Sequence, residues 1–208
     1  MTRSVYRKFS EDHGSWLIHR LHHYRSNTKR IVSGLVARAI MRLKGIKWGN
    51  DCDFFGVPHF YRERFSSIVI GNNCRFRSDQ TSNLIGVNHK CILSTHFPEA
   101  RIVIGDNCGF SGSTIGAASE IIIGNNVLVG ANVIITDFDW HSDRSNTSPQ
   151  PVVIKDNVWI GVNSTILKGV NIGENSVIGA NSLVVKDIPA NVIAGGNPCK
   201  VLKTLRTP

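Results

Sequence analysis

The last histidine of the chain, His141, stands among carboxylates in D-F-D-W-H-S-D, residues 137 to 143. A neutral imidazole, with a pKa of about 6.5, can take a proton near neutral pH and give it back. That is what any reaction in which a hydroxyl acts as nucleophile demands, because the hydroxyl proton must leave as its oxygen attacks. Asp139, two residues before His141, is the candidate to orient the ring. Asp137 and Asp143 are further acids of the same stretch, and Arg144 reads as an exposed loop arginine within reach of an acidic sugar.

What positions this histidine is a repeat. From Ile154 the chain divides into six hexads, IKDNVW, IGVNST, ILKGVN, IGENSV, IGANSL and VVKDIP, each opening with Ile or Val. IGNNCR at 70, IGDNCG at 104 and IGNNVL at 123 carry the same signature. Six is a multiple of two, so the opening residues of successive hexads all point to one side of an extended chain. Gly and Asn between them suit corners with positive φ. A lone hexad cannot bury its one aliphatic side chain, but stacked coils can, each Ile seated on the Ile of the coil below. The pattern predicts a parallel β-helix. Ile123, Val129 and Ile135 open three hexads that complete a coil at Trp140; then residues 141–153 break the beat before Ile154 resumes it. A stiff repeat carrying one long polar loop is a good support for a reactive group.

The stretch IGENSVIGANSLVVKDIPANVIAGGNPCKVLK closely resembles the C-terminal part of the hexapeptide-repeat acyltransferases, in the branch of maltose, galactoside and polysaccharide O-acetyltransferases. The resemblance covers about residues 65 to 205. It implies an all-β fold, a left-handed parallel β-helix, usually assembled as a homotrimer with sites between neighbours; the N-terminal segment, which has no obvious match in the family, is read as helical from its own spacing. It further implies acetyl-CoA as donor, direct transfer without an acyl-enzyme, no metal, and a loop histidine, here His141, as general base. Trp159, in N-V-W-I-G, matches the family's tryptophan that walls the cleft near the acetyl group. Val162, Ala180, Val185 and Lys186 fall where main-chain groups hold the pantetheine arm. Lys200 and Lys203, after the P-C motif, take the places that bind nucleotide phosphates. Val185 stands where a hydroxyl residue is common. The Asn and Asp with which the galactoside and maltose enzymes read their acceptor have no counterpart in GFSGSTIGAASEIII, so their sugar specificity does not carry over.

The rest of the chain frames this core. Residues 1–50 hold eleven Lys or Arg against Glu11 and Asp12, and the remainder is neutral, which argues against a nucleic-acid-binding body. In RIVSGLVARAIMRLKG, Val32, Leu35, Val36, Ala39, Ile40 and Leu43 follow helical spacing on one face. SWLIHRLHHYR suggests a shorter helix before it. The segment is expected to cap the open end of the β-helix, to lie on a membrane surface, or both. Five cysteines without a C-x-x-C pair argue against a disulfide framework or zinc ribbon. Cys52, Cys74 and Cys108 read as small packing residues. No apolar run is long enough to span a membrane, and no secretory leader is evident, so the expected location is the cytoplasm, peripheral to the inner membrane face. The expected parts are a basic amphipathic helical segment (1–45), the β-helix with its inserted loop (46–196), and a tail contributing to the CoA site (197–208).

The reading is an acetyl-CoA-dependent O-acetyltransferase for a sugar or glycan, in bacterial surface-polysaccharide synthesis. Transfer to serine or an amino-sugar nitrogen is the rival, with a non-enzymatic glycan-binding scaffold behind it. A zinc hydro-lyase of this fold needs three histidines, two close together after a coil, and His141 stands alone in its loop.

Overall fold

The computed structural model describes residues 13–141 and 148–205. Three parallel sheets form the sides of a prism. The first contains Lys47–Trp48, Ser67–Ile70, Arg101–Ile104, Glu120–Ile123, Val152–Ile154 and Asn171–Ile172. The second contains Asp53–Phe55, Arg75–Arg77, Gly109–Ser111, Leu128–Ala131, Trp159–Ile160, Val177–Ile178 and Val192–Gly195, closed by the antiparallel Lys200–Thr204. The third contains His59–Arg62, Ile92–Thr95, Thr114–Ala117, Ile134–Thr136, Thr165–Ile166 and Leu183–Val184. The chain visits the three faces in turn, coil after coil, as the left-handed hexapeptide β-helix.

The hexad openers do what their period requires. Ile154, Ile160, Ile166, Ile172, Ile178 and Val184 are all buried. In register, Phe54, Phe76, Phe110, Val129, Ile160, Ile178 and Ala194 form one inward column of the second face. Its three phenylalanines stack with centroids 5.4 and 5.0 Å apart. Cys52, Cys74 and Cys108 are buried free thiols within the same core. At the corners, asparagines take positive φ, among them Asn126, Asn157, Asn175 and Asn191. Their side chains then bond coil to coil, Asn126 to Asn157 at 3.0 Å, Asn157 to Asn175 at 3.0 Å and Asn175 to Asn191 at 2.9 Å. A corner residue chosen for its backbone thus also satisfies its neighbour above.

The N-terminal segment is one helix, His13–Leu43, rather than two. Its inward face also differs from the expected one. Ser33, Gly34, Ala37 and Met41 are buried, whereas Val32, Leu35, Val36 and Leu43 are exposed. The small residues win because they let the helix backbone approach the first coil closely. Ala37 and Met41 join the cluster of Phe54 and Phe60. Arg30 bonds Asp53 at 3.1 Å and Arg38 donates to the Cys52 carbonyl at 2.8 Å. The helix therefore covers the first coil with one face and leaves an apolar stripe outward on the other.

Candidate active site

The long loop leaves the third face after Ile134–Thr136 and returns at Val152 on the first. Its entry is anchored by Asp137, which is fully buried. One carboxylate oxygen accepts the Ala118 N–H at 2.7 Å, and the other accepts those of Ser119 at 2.7 Å and Glu120 at 2.6 Å. Three consecutive amides of the preceding corner thus converge on one side chain. The Gln150 N–H closes the loop's neck onto the Asp137 carbonyl at 2.8 Å.

Beyond this anchor an aromatic cluster fixes the direction of the chain. Trp140 lies 4.6 Å from Phe138 and 4.8 Å, edge-on, from His96. Gly116 makes room for it: a Cβ there would stand 2.9 Å from the indole. The His96 ring bonds the Ser94 hydroxyl at 2.9 Å and stacks on Tyr61. Burial pushes the His96 imidazole below its ordinary pKa, against the pull of the Asp137 and Glu63 charges, so at neutral pH it is a neutral packing group. Asp139 is ion-paired with Lys168 at 2.6 Å. His141 follows, exposed, at the end of this braced segment. Asp143 and Arg144 lie outside the described residues.

The donor-side candidates divide by position. Trp159 points outward from the second face, 56% exposed. In register on that same outer surface run Asp53, Arg75, Gly109, Leu128, Trp159, Val177, Ile193 and Lys203. Lys200 sits exposed on the same closing strand as Lys203. Val162 and Ala180 share the corner after the second face, where the Asn181 N–H bonds the Val162 carbonyl at 2.9 Å. Val185 and Lys186 are exposed at the corner after the third face, the corner from which the histidine loop emerges two coils earlier. Within one chain, then, His141 and Trp159 are not brought together: the strand Val152–Ile154 and its turn lie between them.

Two features escaped the sequence reading. One is a segment of residues 78–91 inserted between the second and third faces of the second coil, with a short helical turn at Gln80–Ser82. The other is a cavity on the outer second face whose walls include Arg75, Arg77, Leu128 and Trp159. The alternation in R-F-R at 75–77 was the available signal, since a buried Phe76 turns both arginines outward. Among the described residues no three His, Cys, Asp or Glu side chains are grouped to hold a metal ion, and no helix is long and apolar enough to cross a membrane.

Comparison with known proteins agrees with this architecture. Residues 151–186 match the bacterial transferase hexapeptide (six repeats) family. The galactoside O-acetyltransferase of Lactococcus lactis is 38% identical over 142 residues, 65% of this chain and 62% of that protein. The galactoside O-acetyltransferase of Escherichia coli is 44% identical over 90 residues, 41% of this chain and 44% of that protein. The chain thus spans about half the length of these relatives. A solved structure of a variant of AntD, an N-acyltransferase from Bacillus cereus, in complex with dTDP-4-amino-4,6-dideoxyglucose and coenzyme A, superposes with a TM-score of 0.64. It covers 82% of this chain and 90% of that one at 21% identity, a likeness of fold.

Proposed function

Because the chain belongs to the hexapeptide-repeat transferase family, we propose that it is an acetyl-CoA-dependent O-acetyltransferase acting on a sugar hydroxyl of a bacterial surface polysaccharide or its precursor. The observation that carries this reading is the braced loop. A repeat that could have run on without interruption instead spends a buried carboxylate, an aromatic cluster and an ion pair on holding an exposed histidine at a coil exit.

In the proposed reaction the acceptor hydroxyl gives its proton to His141 while its oxygen attacks the thioester carbonyl. The new C–O bond forms, the C–S bond breaks, and the imidazolium returns the proton to the departing thiolate. A backbone N–H beside the thioester would carry the oxyanion's charge. Asp139, held by Lys168, is assigned a positioning role, fixing the backbone two residues before the base. Trp159 walls the thioester end. Val162, Ala180, Val185 and Lys186 line the path of the pantetheine arm, and Lys200 and Lys203 hold phosphates as point charges. Since one chain separates His141 from Trp159, the working unit is proposed to be a homotrimer in which one copy's loop meets its neighbour's second face.

The test is a calorimetric titration of acetyl-CoA into the full chain and into a Lys200→Ala, Lys203→Ala double variant. Saturable binding is expected, weakened on the order of 10-fold or more by loss of the two phosphate contacts. No binding at millimolar donor would overturn the reading. Product analysis of a successful transfer then separates ester from amide.

The outward stripe of the helix, with Leu21, Val32, Leu35, Val36 and Leu43 exposed, supports a second part of the proposal. Flanked by Arg20, Arg42 and Lys44, it suits the surface of an anionic membrane, where a lipid-linked glycan would be met. The full chain should co-sediment with phosphatidylglycerol vesicles and not with phosphatidylcholine ones, and Leu35→Glu should release it. Equal sedimentation of the Leu35→Glu protein would remove the membrane role.

A further inference from the structure

The outer surface of the second face holds a cavity of about 430 Å3, bounded by Arg75, Arg77, Asn83, Ser111, Leu128 and Trp159. It exists because Gly109 interrupts the outer column between Arg75 and Leu128; a Cβ there would already stand 3.3 Å from a Leu128 methyl. The walls have three kinds of chemistry. Leu128 and the Trp159 indole, each more than half exposed, offer an apolar surface to the face of a ring. Asn83 donates to the Ser111 hydroxyl at 3.1 Å, a pair suited to exchanging bonds with sugar hydroxyls. Arg75 and Arg77 supply positive charge.

That charge is only partly neutralised locally. Among the described residues no carboxylate lines the cavity. The nearest acid in the column is Asp53, 3.8 Å from the Arg75 guanidinium, but it is shared with Arg30 at 3.1 Å. Arg77 is held in place rather than paired: its guanidinium lies 4.9 Å over the Phe55 ring and donates to the Ser82 carbonyl. Burial, and after it the Arg75 charge, pull its pKa below the ordinary value, against a smaller opposing pull from Asp53.

The column also gives direction. Arg75 is three strand steps from Trp159, through Gly109 and Leu128. Lys203 is three steps away on the other side, through Val177 and Ile193. At about 4.8 Å per step, each basic end is roughly 14 Å from the indole. With the donor's phosphates at the Lys203 end and its thioester at Trp159, the arginine end is left for the acceptor.

We propose that the acceptor carries an anionic substituent, a carboxylate or a phosphate, which Arg75 and Arg77 bind while its sugar ring lies against Leu128 and Trp159. This rests on the transferase reading for the word acceptor, but not for the ligand chemistry, so the two can fail separately. The absent Asn and Asp pair of the neutral-sugar enzymes is then replaced by charge recognition from an earlier coil.

The probes are methyl glucuronide, glucose 1-phosphate and methyl glucoside, titrated into the full chain with and without acetyl-CoA. The charged sugars are expected to bind on the order of 10- to 100-fold more tightly than the neutral one. Whichever of the two binds better names carboxylate or phosphate as the source. The Arg75→Gln, Arg77→Gln double variant should erase the difference and leave acetyl-CoA affinity unchanged. Arg75→Gln alone, at an exposed side chain whose one acidic neighbour, Asp53, keeps Arg30 as its partner, should lose part of it without affecting folding. Gly109→Leu should fill the cavity and weaken all three sugars. Equal binding of charged and neutral probes would overturn the proposal, and so would a fall in acetyl-CoA affinity on losing the arginines, which would give the pair to the donor. Arginine-dependent binding without any transfer would keep the site and sink the transferase; transfer to the neutral sugar alone would do the reverse.

Discussion

Replacing His141 with alanine is expected to lower kcat by on the order of 10²- to 10⁴-fold, the usual contribution of a positioned general base. The affinity for acetyl-CoA should stay within about twofold, and the melting temperature should not move. Both expectations come from the same feature. The ring is exposed and contributes nothing to the core, while Trp140 and Phe138, which fix the chain direction, remain packed. The assay is thiol release from acetyl-CoA in the presence of a charged glycoside, followed across pH. Near-normal turnover by His141→Ala would remove the proposed mechanism. A mixing experiment then tests the shared site. Trp159→Ala is also expected to be inactive, but co-refolding the two inactive variants should restore about a quarter of the sites, those with both native residues drawn from different chains. No recovery would mean that the two residues do not meet across an interface.

Much of this architecture was legible because a six-residue period leaves a chain few options. The inward Ile and Val positions follow from counting, and so does the break at His141, since nothing in the repeat itself calls for thirteen extra residues. The helix shows where counting fails. Its sequence carries two stripes at helical spacing, one of large aliphatics and one of Ser33, Gly34, Ala37 and Met41. Hydrophobicity favours the first as the buried face. Close packing selected the second, where small side chains let the helix approach the first coil and where Arg30 and Arg38 also bond Asp53 and the Cys52 carbonyl. The candidate site was legible one residue at a time but not as an arrangement. Arg75, Leu128, Trp159 and Lys203 are spread over 129 positions of sequence and become one column only through strand register.

The acids around His141 show the same limit, and they yield the second large effect. Three aspartates lie within four residues of the histidine, and nearness in sequence favours Asp139 as its partner. The buried one is Asp137. Its carboxylate is the sole side chain bonded to the amides of Ala118, Ser119 and Glu120 among the described residues, at a corner where the chain steps from the third face to the first. Removing it leaves one buried donor, that of Ala118, and two partly buried ones without their partner, each worth up to about 1–3 kcal/mol. Since such losses overlap, Asp137→Ala is expected to cost about 3–5 kcal/mol, or roughly 6–20 °C in melting temperature for a chain of this size. Asp137→Asn separates charge and geometry from mere volume. It keeps the shape, but its amide group must face at least one N–H donor, so it should be nearly as damaging as alanine. Hydrogen exchange at residues 118–120 should accelerate in both variants, and turnover should fall with the loosening of the neck between Asp137 and Gln150. A melting temperature within about 1 °C of the native protein for Asp137→Asn would show that the corner does not depend on the carboxylate. The expected loss would identify the residue four positions before the base as the one that holds the catalytic loop to the stiff repeat. On that result Asp139 and its lysine adjust only the last two residues of the approach.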